Sequence, residues 1–106
     1  AAVLINDAAQ IEKLRGVFTG LFGKDSAVDR KPTMVGEDFS RYGMTKDKIP
    51  VCMFWLGVTA PAKLEEARKT GQLLPSLHSP FFRPDIEEAL PVGVTAMSAA
   101  VLELMK

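Results

Sequence analysis

One histidine, one cysteine, one tryptophan and one tyrosine are all that this 106-residue chain holds of those four residue types. A single cysteine, Cys52, excludes an internal disulfide and fits a reducing compartment such as the cytoplasm. A single histidine, His78, excludes a metal centre built from several imidazoles of this chain. Excess charge is missing as well: 13 basic and 13 acidic residues cancel. No overall field therefore draws the chain to nucleic acid or to an anionic membrane surface. No apolar run approaches the roughly 20 residues that span a bilayer. No basic stretch followed by an apolar one marks a secretory leader. The chain begins at Ala1 rather than at methionine, which suits a processed product or a segment of something longer.

What is present is ordinary globular composition, 47% hydrophobic and 25% charged, enough for one domain or a piece of one. Asp7, with Gln10 behind it, has the pattern of a helix start. Ile11, Leu14, Phe18 and Leu21 then share one face, with Phe22 beside them, and Gly23 supplies a stop. Val28 to Met34 reads as a strand. Gly36-Glu37-Asp38 opens a short turn or helix through Tyr42, and Thr45 to Lys48 is a solvated loop. Val51 to Val58 is almost continuously apolar between Pro50 and Pro61, the pattern of a strand buried on both faces. Ala62 to Thr70 is an exposed helix ended by Gly71. Asp85 and Glu88 repeat the helix-start pattern. Leu90, Val94, Met97, Val101 and Leu104 continue a helical stripe that Pro91 kinks or restarts.

Two strands do not make an independently stable sheet, and the apolar one wants cover on both faces. The expected fold class is therefore α/β, and the chain reads as half of an α/β sandwich with helices packed on a mixed sheet. The other half would bring more strands and more ligands.

Three stretches can carry chemistry. In Leu77-His78-Ser79-Pro80 the imidazole sits in a turn held by a proline, and neutral imidazole is the commonest metal ligand. It serves equally as a loop histidine bonded to backbone. A catalytic zinc site takes three protein ligands, so His78 does not act alone. In Met34-Val35-Gly36-Glu37-Asp38-Phe39-Ser40 a glycine at a strand-to-helix junction lets a ligand approach the backbone. Glu37 and Asp38 also suit the positive end of a surface helix with no further role. Arg41 can pair with a substrate carboxylate or with Glu37. Phe54 and Trp55 read as core, Phe81 and Phe82 as pocket wall or loop anchor. Cys52 has no basic neighbour in sequence to lower its thiol pKa and reads as a small buried hydrophobe.

Taken in order, these stretches with Phe54-Trp55-Leu56-Gly57 and Asp85-Ile86-Glu87-Glu88-Ala89-Leu90 resemble the metal-dependent aminoacylase and carboxypeptidase superfamily. The similarity is to its amidohydrolase branch, typified by hippurate hydrolase and the auxin-conjugate hydrolases, and to the C-terminal part of the catalytic domain. Ile5-Asn6-Asp7 looks like the point where such chains return to the catalytic domain after an inserted dimerisation domain. The resemblance spans residues 1–106 as one such segment, without the N-terminal half or the dimerisation domain.

The resemblance implies that His78 is one ligand of a centre of two divalent ions (zinc, manganese, cobalt or nickel). It places Gly36, Glu37 and Asp38 at the floor of the substrate pocket. It implies hydrolysis of the amide bond of an N-acyl amino acid, with the catalytic residues and remaining ligands in the absent half. This segment alone is then inactive and metal-free. Its partners are that missing half, the substrate and, in the complete enzyme, a second subunit. Val35 departs from the pattern, since many relatives carry two glycines before the acidic pair, and it bears on which acyl or amino-acid group is accepted. The alternatives from the residues themselves are a non-catalytic module that binds a carboxylate, or a structural partner completing a separately encoded half.

Overall fold

A computed structural model of the chain describes residues 3–33 and 38–106. They fall into two compact units, Ala1–Phe54 with Ala99–Lys106, and Trp55–Ser98. In the first unit, Asp7 starts helix α1 (Ala8–Phe22) as its spacing to Gln10 predicts. Its Oδ2 accepts the Gln10 N–H at 3.0 Å, and its carbonyl accepts the Ile11 N–H at 3.0 Å. The first bond satisfies a donor that a helix start otherwise leaves to water, and the second is the helix's first backbone bond. Gly23 ends the helix at φ 107°, with its N–H on the Thr19 carbonyl. Of the expected apolar face, Leu14 is buried, Ile11, Phe18 and Phe22 are half-buried, and Leu21 is exposed. The Phe18 ring meets Phe54 edge-on at 5.0 Å, a geometry worth about 0.5–1.5 kcal/mol beyond area burial.

A 3-10 helix (Phe39–Met44) follows the undescribed residues, and Ser40 within it is buried. Gly43 packs so closely on the following chain that a Cβ there would lie 3.3 Å from the Ile49 carbonyl oxygen. The short turn or helix expected through Tyr42 is present among the described residues and ends two residues later, at Met44.

The expected α/β fold is not found: among the described residues there is no β-strand, and all regular structure is helical. Residues 28–33 run irregular and exposed. Residues 51–58 also form no strand, and they are not buried on both faces. Val51 to Phe54 are half-buried, while Trp55 and Leu56 remain 44% and 38% exposed. The physical reason lies in the hydrogen bonds. Met53 donates its N–H to Asn6 Oδ1 at 2.8 Å, and its carbonyl accepts from Asn6 Nδ2 at 2.9 Å. The Val51 carbonyl accepts the Asp7 N–H at 2.8 Å. A side-chain amide and a helix-capping residue thus occupy places that a neighbouring strand would fill.

In the second unit, α2 (Pro61–Thr70) has Pro61 in its first turn and ends on Gly71 at φ 74°, left-handed backbone that suits glycine. None of its residues is buried, in keeping with the exposed helix expected there. Before the last helix, the Asp85 N–H bonds to the Val58 carbonyl at 2.6 Å. Helix α3 (Ile86–Leu104), whose residues from Ala99 onward belong to the first unit, begins where the Asp85–Glu88 pattern places it and continues through Pro91 as one element. The helical stripe continues to the C-terminus as expected, and it is not the buried side of the helix. Leu90, Val94, Met97, Val101 and Leu104 are all exposed, whereas Ala89, Ala96 and Ala100 are buried. The close-packed face of α3 is made of alanines.

Replacing Asn6 by Ala leaves a peptide N–H and C=O of Met53 without partners. Each such loss costs about 1–3 kcal/mol when buried, and this site is half-buried. Chemical denaturation should show Asn6→Ala destabilised by about 1–3 kcal/mol; unchanged stability would refute the clamp.

Candidate functional site

His78 belongs to the second unit, on a tight turn built by its neighbours. The Ser79 N–H donates to the Ser76 carbonyl at 3.0 Å, and the Phe82 N–H to the Ser79 carbonyl at 3.1 Å. Ser79 Oγ accepts the Phe81 N–H at 3.1 Å, a local side-chain turn that fixes the backbone after the histidine. The imidazole itself is exposed and forms no hydrogen bond with the described residues. The surrounding loop is apolar and open to water: Leu73 is 92% exposed, Phe81 74% and Leu77 55%. Phe82 is half-buried and anchors the loop, while Phe81 does not.

A metal held by this chain would need more donors than His78. Among the described residues no group of three or more His, Cys, Asp and Glu side chains gathers to hold an ion. The residues described here therefore do not by themselves fit a two-metal centre.

Of the expected pocket-floor residues, Gly36 and Glu37 lie outside the described residues, as does Val35. Asp38 is described and belongs to the first unit. It precedes the 3-10 helix without capping it through its side chain. Its carbonyl accepts the Arg41 N–H at 3.0 Å, and its carboxylate lies 3.9 Å from Arg41 Nε. Both side chains are largely exposed, so the pair contributes little to stability. The structure pairs Arg41 with Asp38, the second acid of the motif. With Phe39, Tyr42 and Thr45 these two line a shallow, open cup.

Cys52 is half-buried in the first unit. Burial pushes its thiol pKa above the ordinary 9.0, and the nearby Asp7 carboxylate adds to the rise. Both effects favour the neutral thiol, so this is no activated nucleophile. On the outer face of α1, Arg15 donates to the Asp29 carboxylate at 2.7 Å and to the Ala27 carbonyl at 3.3 Å. The bond to Asp29 holds the guanidinium pKa above its usual value. It ties residues 27–29 to the helix.

Sequence reading missed an apolar groove of about 530 Å³ in the second unit. Leu56, Val58, Ile86, Leu90, Val94 and Met97 line it. Gly93 opens its floor, since a Cβ there would come within 2.9 Å of the end of the Leu56 side chain. The signal was the apolar stripe of α3, whose exposed state periodicity alone does not reveal.

The chain is similar to proteins named N-acetyldiaminopimelate deacetylase. It is 46% identical over 70 residues to that of Lacticaseibacillus casei, covering 66% of this chain and 14% of the relative. Identity is 42% over 71 residues to that of Enterococcus faecalis, covering 67% of this chain and 14% of the relative. To that of Streptococcus suis it is 34% over 93 residues, covering 88% of this chain and 20% of the relative. The chain thus spans only about a seventh to a fifth of the length of these relatives. No family model matches it. No solved structure matches it. No described helix is long and apolar enough to cross a membrane.

Because the folded chain holds the Cys52 proton to higher pH than the unfolded chain does, stability should fall as pH rises above 9.0. Below that pH the thiol is neutral in both states and adds no slope. Alkylation of folded chain should lag behind a free thiol at the same pH. Asp7→Asn, which keeps a capping side chain but removes the charge, should shift the alkylation profile to lower pH. A profile identical to that of the free thiol would contradict this environment for Cys52.

Proposed function

We propose that this chain is a segment of a hydrolase that releases the acyl group from the nitrogen of an acylated amino acid. The observation that supports this reading is the 46% identity over 70 residues to a protein named N-acetyldiaminopimelate deacetylase. An N-acetylated amino acid is a substrate of that class, and removal of its acetyl group breaks an amide bond. The order of the Gly36-Glu37-Asp38 and Leu77-His78-Ser79-Pro80 stretches supports the amidohydrolase branch of the metal-dependent aminoacylase superfamily.

In this reading His78 is one ligand of a two-metal centre, and zinc, manganese, cobalt and nickel all suit imidazole and carboxylate donors. Its exposure and its lack of a hydrogen bond to the described residues support a ligand role. The other ligands and the general base come from the remainder of a longer protein. That remainder also covers the exposed apolar residues of the histidine loop. Gly36, Glu37 and Asp38 line the pocket floor, and Arg41 beside Asp38 sets the charge there. The complete enzyme is an oligomer working in the cytoplasm.

His78→Ala in the longest natural protein carrying this sequence should lower both bound metal and turnover by an order of magnitude or more. Near-normal turnover with unchanged metal content would sink the ligand assignment. Gly36→Val in the same protein should raise KM without a comparable loss of stability. Unchanged kinetics would remove Gly36 from the pocket. A protein that binds acyl amino acids without cleaving them would replace the hydrolase by a carboxylate-binding module.

A further inference from the structure

The chain exposes more surface than a folded protein of its mass does. By the surface-to-mass scaling of folded monomers, an 11.5 kDa protein exposes about 5,800 Å². Two separate monomers of the sizes of the two units would expose about 7,000 Å² together. The chain exposes 8841 Å², about 1,800 Å² above even that figure. An excess of that size on one side matches an obligate interface, which buries roughly 2,000–5,000 Å² counted over both sides. The buried apolar residues are correspondingly few. Among the described residues they are Leu14, Ala89, Ala96 and Ala100, only one of them larger than alanine.

The apolar groove of the second unit gathers part of that surface in one place. Ile86, Leu90, Val94 and Met97 of α3 line it, and each is more than half exposed. None of its lining residues is charged, and Ser98 carries the one polar side chain. A contiguous apolar surface of this kind marks an interaction site. With no charge to orient a polar ligand, the groove suits an occupant that is itself apolar. The matched stretches cover only 14% to 20% of the relatives, so four-fifths or more of such a protein lies outside them. We infer that the groove is an internal docking surface, filled by apolar side chains from the part of a longer protein that lies outside residues 1–106. Helix α3 then has two packing faces, one of alanines used within this chain and one of large residues used by the adjoining chain. The inference rests on the reading of this chain as a segment of a longer protein, and not on its hydrolase activity.

Met97 gives the readout without a substitution, in the longest natural protein that carries this sequence. Its oxidation to the sulfoxide by hydrogen peroxide should be slower in the native protein than in the urea-unfolded one by about tenfold or more. Mass spectrometry of the peptide that carries Met97 measures both rates. Equal rates would overturn the inference, because an uncovered groove leaves Met97 open to solvent. Photocrosslinking from Val94→p-benzoylphenylalanine in the same protein identifies what covers the groove. The expected product is a single-chain adduct to a peptide outside residues 1–106. A product of doubled mass, or an adduct within residues 1–106, would overturn the inference. Protection of Met97 with that single-chain adduct, in a protein that cleaves no N-acyl amino acid, would uphold it and sink only the hydrolase reading.

Discussion

The two hydrogen bonds between the Asn6 amide and the peptide of Met53 are the constraint on which the first unit depends. They join the residues just before α1 to an apolar segment far along the chain. With Asp7 bound to Val51, they hold Phe54 where the Phe18 ring can meet it. A side-chain amide can play this part because its C=O and N–H are spaced like those of a peptide group. The result is one side of a strand pairing, supplied by Asn6 and Asp7.

That constraint also explains which parts of the fold were legible in sequence. Helix ends were readable because their causes are local. Asp7 with Gln10, Gly23, Gly71 and the Asp85–Glu88 pair each act within one turn, and helices begin or end at all of them. The strand at 51–58 was not readable as it stands, because a strand exists only through its neighbours. An apolar run signals that cover is wanted and does not say whether a ladder or a single asparagine supplies it. The stripe of α3 marked the helix and not its buried side. Periodicity finds the apolar face, yet the alanines beside it are the residues that pack closely, and Leu90 to Leu104 are left exposed. Pro91 costs α3 one internal hydrogen bond near its start without ending the helix.

The candidate site was legible as residue types and not as an assembled centre. His78 stands alone on its turn, with a serine-built backbone and no second ligand among the described residues. Asp38 is paired with Arg41, while Gly36 and Glu37 fall outside the described residues. The described residues carry an imidazole with no second ligand gathered to it and uncovered apolar side chains around it, and the chain is similar to proteins five to seven times longer than the matched stretch. All three features support the proposal that the chain is a segment of a longer hydrolase.

The most direct test is acetate release from N-acetyldiaminopimelate by the longest natural protein that carries this sequence. The hydrolase account predicts stoichiometric acetate and free diaminopimelate, abolished by a chelator and restored by a divalent first-row metal. A folded, metal-loaded protein that leaves this substrate and other N-acyl amino acids intact would contradict it.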